Sequence, residues 1–165
     1  MTLTLKPKLV LLEISQYLQW PMVNITIDCP IEKASFLKEN ILPIQESGQL
    51  RFIETEAEGF PPGLSVRQGF GHTDAMMLPQ FNYKGKTIVY MADLLPSAAH
   101  IPVPYVMAYD MFPLTTLHEK KNFLMEAQQN DYILFFEHDP SIECCSLQLT
   151  EKGIRMKDPF RLSEL

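Results

Sequence analysis

The chain has 165 residues, 46% hydrophobic and 21% charged, a balance that suits one globular domain and excludes a disordered or fibrous chain. Acidic side chains number 20 against 14 basic ones, a net charge of -6 with no Lys/Arg-rich block, which argues against nucleic acid as a partner. Glu13 interrupts the apolar run "LVLLEIS" too early for a signal-peptide core or a membrane span, so the expected compartment is the cytoplasm and no membrane partner is expected.

Residues 1–30 form a poorly matched N-terminal segment, with "KLVLLEI" ambiguous between strand and helix and "MVNITID" alternating like a strand. "IEKASFLKENIL" places Ala34, Leu37 and Ile41 on one stripe and predicts a helix over 31–42 that Pro43 ends. Strands follow at "LRFIETE" and "LSVRQGF". "AMMLPQFNY" and "KTIVYMAD" then flank Lys84-Gly85, a hairpin turn, and Pro79 suggests an edge strand or a bulge.

The excursion "LLPSAAHIPVPYVMAYDMFP" is too irregular for a regular element, and long ordered loops in compact domains are usually functional. "TLHEKKNFLMEAQQ" predicts the clearest helix, with Thr116 and Glu119 as a capping box. "DYILFFEHD" reads as a strand covered on both faces, and "CCSLQLT" pairs with "IRMKDPF" around Glu151-Lys152-Gly153. Cys29, Cys144 and Cys145 contain no CxxC, and the adjacent pair reads as small core residues on a strand. Strand pairs followed by strand–helix–strand predict an α+β or layered α/β domain.

His72 in "GFGHTD", Asp93 in "VYMADLLP" and His138 in "LFFEHDP" share one context, a metal-capable side chain at or just past a strand end. Such a position is held rigidly yet reaches solvent, and two imidazoles with a carboxylate suit a divalent metal, zinc foremost. Each also has a plain structural reading: a solvated loop histidine, an Asp cap, a charged turn. Spacings of 21 and 45 residues exclude a local metal finger, so any site is discontinuous. His100 is a candidate pocket residue or a solvated loop histidine. Tyr105 and Tyr109 are read as packing, and His118 as an inert residue on an exposed helix face.

"GHTDAMMLPQFNYKGKTIVYMADLLP", then "FFEHDP" and "TEKGIRM", resembles the C-terminal half of the metallo-β-lactamase-fold hydrolases, in the branch of lactonases and organophosphate hydrolases, over roughly residues 32–160. The resemblance implies a partial αββα sandwich, an α+β half-domain over 31–165. It implies His72 as a ligand of the first metal site, Asp93 as the bridging carboxylate and His138 as the terminal histidine of the second. It also implies hydrolysis of an ester- or lactone-type bond in a small-molecule substrate by a metal-activated water.

The chain departs from the family in its histidines. They are His72, His100, His118 and His138, and no two are separated by one residue, so the histidine-x-histidine-x-aspartate-histidine motif is absent. The expectation is a truncated domain whose missing half leaves an apolar face for a second copy of the chain to cover. The alternative is a catalytically inactive remnant or association module.

Overall fold

The computed structural model describes Phe60, residues 62–73 and residues 75–165, with Pro43, Glu46 and Ser47 further upstream. The chain divides into two compact units, Met1–Thr55 and Glu56–Leu165. The sequence-based boundary between 30 and 31, the 31–42 helix and the "LRFIETE" strand lie outside the described residues. Pro43, expected to end that helix, is itself helical and accepts a hydrogen bond from Ser47 N–H at 3.0 Å.

In the second unit six strands form one sheet in sequence order: β1 (Leu64–Gly69), β2 (Met76–Tyr83), β3 (Lys86–Tyr90), β4 (Ile133–Phe135), β5 (Cys144–Thr150) and β6 (Gly153–Phe160). The pair β3–β4 is parallel and every other neighbouring pair antiparallel. Between β3 and β4 the chain makes its long excursion, including a short 3₁₀ turn at Ala98–His100, and then forms helix α1 (Pro113–Gln129). A parallel pair requires such a crossover, whereas the antiparallel pairs close through short turns. At the β2–β3 turn Lys84 and Gly85 both adopt positive φ, 50° and 77°, as a two-residue hairpin demands.

Pro79 occupies neither an outer strand nor a bulge. It pairs with Val66 inside β2, and pairing of β2 with β3 stops one residue away, at Gln80. The strand is therefore edge-like at Pro79 only towards β3, where a missing N–H breaks no ladder bond.

Helix α1 begins at Pro113, a residue suited to a first turn because its absent N–H has no helical partner there. The expected capping box is not formed. Phe112 is the cap residue and makes no side-chain cap bond, and the Glu119 carboxylate is committed elsewhere. The helix buries Phe123, Leu124 and Ala127 in a core with Leu78, Val89, Leu134 and Cys145. Residues of opposite parity on the central strands, Ile88, Ile133, Phe135 and Cys144, are buried too. Strand β4 is buried at all three of its positions, in keeping with its unbroken apolar run. Burial drives the Cys144 and Cys145 thiols up to about 12, so they act as packing residues. Among the described residues no helix is long and apolar enough to cross a membrane.

Candidate metal centre

The sheet brings His72, Asp93 and His138 to one edge by register. β1 and β3 are each antiparallel to β2 and so run the same way, and β4 runs parallel to β3. Their last residues, Gly69, Tyr90 and Phe135, therefore end on the same side, and each candidate ligand lies three residues further on. Tyr90 pairs directly with Phe135, and Met91 N–H continues the ladder to Phe135 C=O at 2.9 Å. Asp93 and His138 thus leave adjacent strands at matching positions. Ala92 turns the chain with φ 42°, a left-handed conformation unfavourable for a residue with a Cβ, immediately before Asp93.

Asp93 lies between the two imidazoles. Its Oδ2 is 3.4 Å from His72 Nε2 and its Oδ1 is 3.4 Å from His138 Nε2. Each carboxylate oxygen faces its own histidine. Among the described residues no three His, Cys, Asp or Glu side chains close around a single point.

Asp110 supplies a contact to His72 that sequence reasoning missed. His72 Nδ1 donates to Asp110 Oδ1 at 2.9 Å, and the Asp110 side chain is 1% exposed. This bond fixes a proton on Nδ1 and orients the ring so that Nε2 faces Asp93. Burial disfavours the charged imidazole, but the Asp110 hydrogen bond and the charges of Asp93 and Asp110 outweigh it, and the His72 pKa is raised. The second Asp110 oxygen is buried without a hydrogen-bond partner, and the charge of the fully buried Lys120 partly offsets that cost. Burial itself lowers the Lys120 pKa to about 8, against the pull of Asp110.

The loop bearing His72 is fastened to α1. Glu119 accepts hydrogen bonds from Phe70 N–H at 2.8 Å and Gly71 N–H at 3.1 Å. Phe112 N–H donates to Gly71 C=O at 2.8 Å and Met111 N–H to His72 C=O at 3.1 Å. Gly71 meets the helix start so closely that a Cβ there would lie 2.3 Å from the Thr116 backbone nitrogen. This close approach explains the glycine before His72.

The excursion after Asp93 is held from two sides. Lys120 Nζ donates to Pro102 C=O at 2.9 Å and Tyr105 C=O at 2.6 Å. Asp139 accepts from Ala98, Ser141 and Ile142 N–H groups. Burial opposes its ionisation, yet these three donors hold its carboxyl below the usual range. The excursion carries His100 and Tyr109 into an open cleft of about 450 Å³ that His138 also lines. The Tyr109 ring stands edge-on to His72 with centroids 6.1 Å apart. His118 is exposed on α1 and, among the described residues, is bonded to its helical neighbour Asn122 at 3.1 Å.

His72, Asp93 and His138 would hold a divalent metal through two imidazoles and one carboxylate, and such a metal would supply Lewis acidity there. Divided over a metal pair, these three side chains would fall below the three or more donors per ion of self-sufficient protein sites.

No family model matches the chain, and no curated protein matches it in sequence. Solved structures do match in fold. A probable metal-dependent hydrolase from Staphylococcus aureus is 24% identical, with TM-score 0.61 over 72% of this chain and 42% of its own. AidC, a dizinc quorum-quenching lactonase, is 16% identical, with TM-score 0.61 over 81% of this chain and 51% of its own. The hydrolase AbOPH of the β-lactamase superfamily is 19% identical, with TM-score 0.66 over 91% of this chain and 53% of its own. The chain spans about half the length of the structures it matches, and its α+β fold is similar to that part of theirs.

Proposed function

We propose that the chain contributes the His72–Asp93–His138 half of a two-metal hydrolase centre acting on an ester- or lactone-type bond. The observation that carries this reading is the pair of 3.4 Å approaches that set one Asp93 oxygen against each imidazole. Two carboxylate oxygens aimed at two separate histidines are what a metal pair needs, and a solvated loop histidine or a helix cap needs neither. A bound divalent pair, zinc foremost, would supply Lewis acidity and a water ionised near neutral pH. The chain's own part is to fix the His72 ring through its Nδ1–H bond to Asp110, so that Nε2 faces Asp93, to place Asp93 between the histidines and to present His138 to the cleft.

The remaining donors would come from outside the four histidines of this chain, either from the other half of such a domain or from a second copy. Adjacent, unpaired Cys144 and Cys145 suit a reducing compartment such as the cytoplasm.

The test is metal content after dialysis against zinc or manganese, paired with hydrolysis of an uncharged ester and a lactone. At least one equivalent should bind, and His72→Ala, Asp93→Ala and His138→Ala should each reduce it. Occupancy below about a tenth of an equivalent would overturn the reading. A second reading, an association module without turnover, is favoured by the absence of the histidine-x-histidine-x-aspartate-histidine motif. Metal bound in full with no hydrolysis of either substrate, together with a dimer in sedimentation, would select it.

A further inference from the structure

The excursion over residues 91–112 carries little regular structure, yet it is fastened more firmly than its composition suggests. Lys120 grips two of its carbonyls, Asp139 grips the Ala98 N–H, and His138 N–H donates to Pro96 C=O at 3.1 Å. Ile101 is 1% exposed and anchors the middle of the loop in the core. The cleft beneath is therefore a preformed wall. Its volume of about 450 Å³ falls in the range of small-molecule sites.

The lining defines a chemistry. Pro96, Val106, Met107 and Ala108 give it an apolar side, and among the described residues that line it there is no Lys, Arg, Asp or Glu. An anionic group would meet no charged side chain among these lining residues and would lose hydration against the apolar side. The polar side consists of Ser97, His100 and His138, with the Tyr109 ring between. His100 Nδ1 lies 2.9 Å from Ser97 Oγ, so Nε2 is the ring nitrogen left without a partner among the described residues. With the serine hydroxyl donating to Nδ1, the neutral ring carries its proton on Nε2.

We propose that this cleft is the subsite for the uncharged, apolar-bodied part of the substrate, and that His100 Nε2–H donates the hydrogen bond that holds a substrate oxygen beside His138. The proposal rests on the hydrolase reading for the reaction next door, but binding in the cleft is measurable without turnover. Burial, aided by the Lys120 charge, lowers the His100 pKa despite Asp110, which keeps the ring in this neutral form at physiological pH.

The experiment titrates the full chain with an uncharged hexanoylamino-γ-lactam, which presents ester-like oxygens but resists hydrolysis. The four imidazoles are followed by long-range proton–nitrogen NMR. Saturable shifts at His100 and His138, none at His118, and nitrogen shifts of an Nε2–H tautomer at His100 are expected. His100→Ala should weaken the probe about fivefold to tenfold, the loss of one buried hydrogen bond, and His100→Gln should recover part of it. Ala108→Trp, which fills the cleft from an exposed position, should abolish binding. An unmoved His100 resonance, or equal binding of hexanoate, would overturn the proposal even if esters are hydrolysed. Lactam binding without metal or turnover would leave it standing while the hydrolase reading fell.

Discussion

The two imidazoles that face Asp93 are held in opposite ways. His72 is 13% exposed, bonded through Nδ1 to a buried aspartate, on a loop whose backbone is held by the Glu119 carboxylate of α1 and by the Met111 and Phe112 N–H groups just before that helix. His138 is 54% exposed; its backbone N–H is tied to Pro96, but its nearest other carboxylate, Glu137, is 3.9 Å away. One imidazole is pre-oriented, and the other is exposed at the mouth of the cleft. A pre-oriented group loses little entropy when it takes up a partner, whereas a less constrained one must be ordered first.

The sharpest way to break this asymmetry is at Gly71. Gly71→Ala forces a Cβ against the Thr116 backbone, which has no flexible tip to yield, so a loss of about 3 kcal/mol or more is expected in urea unfolding. A loss under about 1 kcal/mol would show that the His72 loop is free to move and would dissolve the contrast.

Next comes the orienting carboxylate. Asp110→Asn should lower metal affinity about 10- to 100-fold, because the amide cannot hold the Nδ1 proton as the buried carboxylate does. Glu137→Gln, on the looser side, should change it less than about threefold. Equal effects in competition with a chelator would mean the two histidines are held alike.

Glu119→Gln replaces one accepting oxygen with a donor and orphans one of the Phe70 and Gly71 N–H groups. A cost of about 1–2 kcal/mol is expected in the same unfolding assay, with metal affinity reduced less than in Asp110→Asn.

The smallest effect lies in the acid limb on the His138 side. The Asp139 carboxyl is held below its ordinary range when folded, so its stabilisation is present above the unfolded value of about 4 and is lost as pH falls through the folded one. Melting temperature measured from neutrality to acid should therefore fall less steeply below about pH 4 in Asp139→Asn than in the parent chain. Parallel curves would show that this tie contributes nothing.

Much of the architecture was legible because it is local. The Lys84-Gly85 turn, the alternation of "LSVRQGF" and "TIVY", and the apolar run before His138 each announce an element within a few residues. His72, Asp93 and His138 could be proposed for the same reason, since a ligand past a strand end is a local pattern. Asp110, Glu119 and Lys120 carry no such mark. Their partners lie 38, 48–49 and 15–18 residues away, and a lone acid or lysine near a helix start reads equally well as a cap or a solvated charge. Glu119 was assigned to its own helix because the capping-box spacing is local, whereas the fold gave its carboxylate to the loop before His72.

By itself, then, the sequence determined where strands begin and end, where the helix runs and which residue types stand at the strand exits, since backbone propensity and turn chemistry act over a few residues. Tertiary structure alone decided which exits meet, that Asp93 stands between two imidazoles, and which buried charges fasten the loops around them. Strand order and direction set those meetings, and they are fixed by contacts between residues far apart in the chain.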